Sequence, residues 1–233
     1  MNAFSPAQFR AQFPALADAG IYLDSAATAL KPQAVIEATQ QFYSLSAGNV
    51  HRSQFAEAQR LTARYEASRD RVAHLINAES GKNIVWTRGT TEAINMVAQC
   101  YAHPLLQPGD EIVVSRAEHH SVLLPFQELS YRTGATFKWI DLTEDGRVRT
   151  DNLDEVITER TKVVAVTHVG NATGAITNIA PIIKRAHEVG SIFILDACQS
   201  VPHLKVDFHA LDVDFAVWSA HKMYGPTGVG FLY

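Results

Sequence analysis

Ser191–Lys222 reads SIFILDACQSVPHLKVDFHALDVDFAVWSAHK. Two short apolar runs, Ile192–Leu195 and Phe215–Trp218, each give way at once to polar residues. Apolar runs of this length, bounded in this way, are strands buried on both faces. Asp196 and Lys222, which follow the two runs, are 26 residues apart, enough for one crossover back to the same sheet. The pattern continues outward. Further strands are expected at Asn83–Thr87, Glu111–Ser115, Thr136–Ile140, Lys162–Thr167 and Gly228–Leu232, with helices at Thr91–His103, Val122–Thr133, Thr150–Glu159 and Ile179–Val189. Strands alternating with amphipathic helices specify an α/β fold, a mostly parallel seven-stranded sheet with helices on both faces.

Before residue 83 the pattern is mainly helical. A short helix is expected over residues 6–12 and a short strand at Ile21–Leu23. Pro32 suits a first helical turn, and Val35, Ile36, Thr39 and Phe42 recur at helical spacing, which predicts a helix over 32–46. Ala47–Ser53 reads as a loop. Residues 54–77 form a polar-faced helix with Phe55, Leu61, Tyr65, Val72 and Leu75 as inward candidates.

Composition narrows the function classes. Of 233 residues, 47% are hydrophobic, enough for a sizeable core. The formal net charge of −4 offers no basic field for nucleic acid and no polybasic membrane patch. Two cysteines, Cys100 and Cys198, supply neither a disulfide framework nor a cysteine-rich zinc site. The N-terminus lacks the basic start and apolar stretch of a secretory signal, and no apolar run is long enough to span a bilayer. A soluble, cytoplasmic chain is expected.

In parallel sheets ligands bind beyond the carboxyl ends of the strands, and the polar clusters fall there. Gly89-Thr90-Thr91 opens a helix after a strand, which provides an anion site or simply a capped helix. Asp196 ends a buried strand, where its carboxylate needs backbone amides or a cation, and no basic residue adjoins it in sequence. Lys222 is either a solvated loop lysine or an amine activated by a site of low dielectric. Glu118-His119-His120 sits in a fourth such position, and His168–Gly174, after the strand ending at Thr167, in a fifth. Adjacent histidines in an extended segment point apart and chelate poorly, and no metal-ligand spacing organises the chain's 10 histidines, so no metal site is expected. Cys100 shares a helical face with Ala93, Met96 and Val97 and is expected in the core. Cys198 lies in the candidate site, as a ligand contact or a buried filler. An anion site, a carboxylate, a flat ring and a lysine after successive strands jointly describe pyridoxal 5′-phosphate, with its phosphate, pyridinium nitrogen, aromatic face and aldehyde.

Several motifs resemble one family. YLDSAAT (Tyr22–Thr28), NVHR (Asn49–Arg52), RGTTEAIN (Arg88–Asn95), EHH (Glu118–His120), THVGNATG (Thr167–Gly174), LDACQ (Leu195–Gln199) and SAHKMYGPTGVGFLY (Ser219–Tyr233) are similar to those of the pyridoxal-phosphate cysteine desulfurases and selenocysteine lyases of the class V aminotransferase group. The likeness runs along the whole chain and is nearest the cysteine sulfinate desulfinase type. It implies a fold-type I transferase large domain over residues 21–233, with residues 1–20 belonging to a small domain whose C-terminal part is absent. Carried over position by position, Lys222 matches the Schiff-base lysine and Asp196 the partner of the pyridinium nitrogen. Gln199 matches the glutamine near the ring hydroxyl, and His119 the histidine that stacks on the ring and exchanges protons with substrate. Thr90, Thr91, Ser219 and His221 resemble the phosphate cradle, and Asn171 the asparagine beside cofactor and substrate.

The resemblance further implies a homodimer acting on cysteine or a close analogue, and a sulfur-acceptor protein in sulfur metabolism or iron–sulfur cluster assembly. Three positions depart from the family. Ala197 and Cys198 stand where the family has the Gly-Ala of Asp-Gly-Ala-Gln, whose alanine packs on the ring, and Ala220 replaces the glycine of Ser-Gly-His-Lys. The family's sulfur-accepting cysteine and substrate-binding arginine belong to a region beyond Tyr233, so the chain as given is expected to be inactive alone. Selenocysteine lysis, transamination, and a non-catalytic binding or assembly role remain as rival readings.

Overall fold

The computed structural model describes residues 4–18, 20–45 and 48–233. Seven strands form one sheet: β1 (Val85–Thr87), β2 (Glu111–Ser115), β3 (Thr136–Ile140), β4 (Thr161–Thr167), β5 (Ile192–Asp196), β6 (Phe215–Ser219) and β7 (Gly230–Leu232). Their spatial order is β1-β7-β6-β5-β4-β2-β3. Strands β2 to β6 run parallel, and β7 lies antiparallel between β1 and β6. Successive side chains of the central strands enter opposite cores, as the period of two requires. Val164, Val166, Phe193, Leu195 and Trp218 join one cluster. Val163, Ala165, Ile194 and Val217 join the other. Burial on both faces explains why these strands read as unbroken apolar runs.

Nine helices accompany the sheet among the described residues: α1 (Pro6–Arg10), α2 (Gln33–Leu45), α3 (Ala56–Leu75), α4 (Thr90–Met96), α5 (His120–Thr133), α6 (Leu153–Val156), α7 (Ala180–Glu188), α8 (Ser200–His203) and α9 (Phe208–Leu211). On one face α7 buries Ile182, Ile183 and Ala186; on the other, α5 buries Val122, Phe126 and Leu129. Gly134 stops α5 in the left-handed region at φ +74°, and a Cβ there would also press on Pro108 at 3.3 Å. No helix is long and apolar enough to cross a membrane among the described residues.

Several expectations need correction. Ile21–Leu23 is not a strand, and Ile21 and Leu23 are 85% and 91% exposed, because no neighbouring strand pairs with the segment. The predicted helix over 150–159 contracts to the single turn of α6. Along α3 only Leu61 of the five inward candidates is buried; Val72 is half-buried, while Phe55, Tyr65 and Leu75 are exposed. That helix docks through Leu61 and the small residues Ala58 and Ala73 instead. Cys100 is exposed rather than in the core. After Met96 the helix widens into a π turn over Val97–Ala102, which changes the phase of the buried stripe to Ala93, Ile94, Val97, Ala98 and Ala102. Residue 46 of the predicted second helix, Ala47 of the predicted loop, and residues 1–3 and 19 of the N-terminal segment lie outside the described residues.

Candidate active site

A cleft of about 950 Å³ opens at the carboxyl ends of the strands. It is lined by Thr90, Thr91, His119, Asn171, Asp196, Cys198, Ser219, His221 and Lys222. Nine of the ten expected site residues are thereby brought together. Gln199 is the exception, being buried with its side-chain Nε2 donating to the Ala26 carbonyl at 2.7 Å, beside the lining residues Ala26 and Ala27.

The β1–α4 junction and the end of β6 form one wall. Gly89 is the N-cap of α4 and Thr90 its first residue. The Thr90 hydroxyl does not cap the helix. It lies 2.8 Å from both Ser219 Oγ and Cys198 Sγ. Nor is the Thr90 amide free for an anion, because it donates to Ser219 Oγ at 2.9 Å. A Cβ on Gly230 would overlap the Gly89 backbone, so glycine there lets β7 pass against the start of α4. The Arg88 amide donates to Glu92 at 2.6 Å, which fixes the remainder of this turn.

Asp196 occupies the end of β5 and is 4% exposed. Its Oδ1 accepts from the Cys198 amide at 2.9 Å. No ion pair among the described residues includes Asp196, Glu118 or Lys222. Asp196 and Lys222 thus face one cleft as an anion without a protein cation and an amine without a protein anion. Burial and the Asp196 carboxylate push the Cys198 thiol well above its ordinary pKa, so it stays a protonated thiol.

Lys222 follows β6 in a 3₁₀ turn held from the N-terminal segment. The His221 carbonyl accepts from the Ala29 amide at 2.8 Å and the Lys31 ammonium at 3.0 Å. Gly225 turns back against Ala220, where a Cβ would come within 2.8 Å of the Ala220 methyl. His119 caps α5, its Nδ1 accepting from the Ser121 amide at 3.1 Å. Partial burial, followed by the Lys222 ammonium, holds the imidazole below its usual pKa. Partial burial and the same ammonium act likewise on His221.

Asp24, Ala26, Ala27, Asn95, Ser121, Thr227 and Gly228 also line the cleft and were not singled out from sequence. All but Ser121 lie within the motifs YLDSAAT, RGTTEAIN and SAHKMYGPTGVGFLY, though most sit in loops that carry no periodicity; Ser121 lies just past EHH, two residues after His119 in a helix start. No group of three or more histidine, cysteine, aspartate or glutamate residues is arranged for a metal ion among the described residues.

Comparison with known proteins gives a consistent answer. The chain matches the model for aminotransferase class-V over residues 21–233. It is 60% identical to the cysteine desulfurase CsdA of Escherichia coli over all of this chain and 58% of that protein. It is 44% identical to a probable cysteine desulfurase of Vibrio cholerae over 96% of this chain and 57% of that one. The crystal structure of Escherichia coli CsdA superimposes with a TM-score of 0.92, covering the whole of this chain and 58% of that one. The apo cysteine desulfurase of Thermococcus onnurineus superimposes with a TM-score of 0.93 at 38% identity, again covering all of this chain and 58% of that one. The chain spans somewhat more than half the length of these relatives.

Proposed function

Because the chain belongs to the class-V aminotransferase family, we propose that it is the cofactor-binding part of a pyridoxal-phosphate cysteine desulfurase. In this reading residues 21–233 are the large domain and residues 1–20 belong with a smaller one. The observation that carries it is the shared cleft of Asp196 and Lys222, an unpaired carboxylate and an unpaired amine beside a knot of hydroxyls. Pyridoxal phosphate, the cofactor of this family, presents a complementary group to each.

Thr90, Thr91, Ser219 and His221 would hold the phosphate, with hydroxyls and an imidazole as donors. Asp196 would pair with the ring nitrogen, where a charge-assisted hydrogen bond also supplies the cation its buried carboxylate lacks. Bound there, the cofactor supplies an electron-withdrawing ring that acidifies the Cα–H of an amino acid. Lys222 Nζ would hold the aldehyde carbon covalently and, once displaced by the substrate amine, move the Cα proton as base and then acid. His119, kept neutral near pH 7, would present an uncharged ring for stacking and a nitrogen able to take a proton. Asn171 and Gln199 would border the ring and substrate, and Cys198 would contact the ring in place of the family's alanine.

The complete protein would convert cysteine to alanine, passing sulfur to an enzyme cysteine and then to an acceptor protein. A cytoplasmic homodimer is part of the same proposal. Product analysis tests it: intact protein with L-cysteine and a thiol reductant should release alanine and sulfide in equal amounts. Transfer of the amino group to a 2-oxo acid, with no sulfide, would instead assign an aminotransferase on this scaffold.

A further inference from the structure

Glu118, one residue before His119, has no part in the chemistry above. Its Oε1 accepts from the Ser115 hydroxyl at the end of β2 and from the Thr167 amide at the end of β4, both at 2.5 Å. Its Oε2 is buried with no hydrogen-bond partner. Thr167 is the register partner of Asp196 across β4 and β5, so two carboxyls converge on one strand end. Asp196 is the charged group that faces Glu118; the donors from β2 and β4 are neutral.

Two ionised carboxyls with no cation cannot share a buried site cheaply, so one must hold a proton. The structure distinguishes them. Asp196 lines the open cleft, where solvent or a ligand cation reaches it, and Glu118 does not. An ionised Glu118 would leave negative charge on an oxygen with no donor. A lone buried O–H costs far less.

We propose that Glu118 is a positioning residue that carries its proton at neutral pH, tying β2 to β4 and leaving Asp196 the one negative charge offered to the cleft. Burial and the Asp196 carboxylate both push the Glu118 carboxyl well above the usual range. The bridge fixes the chain next to His119 on one side. On the other it fixes the start of the loop that carries Asn171. The value of this arrangement to catalysis rests on the proposed pairing of Asp196 with a ring nitrogen. The protonation itself does not.

Infrared spectra of the intact protein at neutral pH, with and without pyridoxal phosphate, test the proposal against Glu118→Gln. The parent should show a carboxylic-acid C=O band that the variant lacks, in both states. Replacing Asp196 with Asn should move the loss of that band to lower pH in the cofactor-free state than in the cofactor-free parent. Thermal unfolding gives a second reading. A folded pKa above the unfolded one means the folded state binds the proton more tightly, so the contribution of Glu118 falls as pH rises past about 4.3. The parent should therefore lose stability relative to Glu118→Gln between pH 5 and 8. Absence of the band, a Gln variant that fails to fold, or parallel stability profiles would overturn the proposal. If the band is present but Asp196→Asn binds pyridoxal phosphate like the parent, the ring-nitrogen reading fails and the Glu118 assignment stands.

Discussion

The Thr90 amide donates a 2.9 Å hydrogen bond to the Ser219 hydroxyl, joining the start of α4 to the end of β6 across 129 positions of sequence. The Thr90 hydroxyl completes the knot, 2.8 Å from the same oxygen and 2.8 Å from Cys198 Sγ. Thr90 at the start of α4, Cys198 after β5 and Ser219 at the end of β6 are thereby locked in one place, all three buried. A phosphate held here would meet hydroxyls whose positions are already fixed.

Replacing Ser219 with Ala leaves the buried Thr90 amide without its acceptor. The expected cost is about 1–3 kcal/mol of stability, the usual range for a buried donor left unpaired. Affinity for pyridoxal phosphate should also fall more than affinity for pyridoxal, which lacks the phosphate. Chemical unfolding and ligand titration measure the two effects, and equal losses for both ligands would count against a phosphate role.

Gly230→Ala tests the close approach of β7 to Gly89. The new methyl overlaps the Gly89 backbone, which no rotamer change relieves. Overpacking of this kind costs on the order of 1–3 kcal/mol. The melting temperature should drop and cofactor affinity should fall with it, because Gly89 immediately precedes Thr90. A variant with parental stability would show that β7 has room to move.

The strand positions were legible because parallel strands buried on both faces must be continuously apolar, as Val163–Val166 and Phe193–Leu195 are. The polar ends of those strands pointed to the site for the same reason. Pattern failed where the backbone departs from ideal geometry. Ala93, Met96, Val97 and Cys100 keep a helical spacing in sequence, yet the π turn at Val97–Ala102 turns Cys100 outward. At Gly89-Thr90-Thr91, read as an anion site or a capped helix, the sequence could not show that the Thr90 amide is taken up by Ser219, because that partner is distant in sequence. Glu118 stands in the EHH motif, but its bridging role gave no local signal, since Thr167 and Asp196 meet it only through the sheet.

Acid should weaken the fold at this end of the molecule. Burial lowers the pKa of His168, whose Nδ1 is buried without a partner, so the folded state binds this proton less readily than the unfolded chain. Its contribution is present above the unfolded value of about 6.5 and is lost as pH falls below it toward the folded pKa. His119 and His221, also lowered, act in the same direction. Melting curves between pH 7.5 and 5 should show this loss, and His168→Gln should flatten it. A slope unchanged in the variant would remove His168 from the account.

Asp196→Asn keeps the acceptor for the Cys198 amide and removes the charge. A charge-assisted hydrogen bond contributes roughly 1.5–3 kcal/mol, so cofactor affinity should fall by about tenfold or more. Exchange of substrate Cα hydrogen for deuterium should fall further, because ring acidity and binding are both affected. Parental affinity and exchange would contradict pairing of Asp196 with a ring nitrogen.

The most direct measurement concerns Lys222. A second amine lies nearby, but Lys31 Nζ is committed to the Ala29 carbonyl at 2.5 Å and the His221 carbonyl at 3.0 Å. Lys222 has no ion-pair partner among the described residues and faces the cleft. Borohydride treatment of the intact protein loaded with pyridoxal phosphate, followed by peptide mapping, should place one pyridoxyl group on Lys222 and none on Lys31, Lys184 or Lys205. A label on any of those three, or no label on Lys222, would contradict the site.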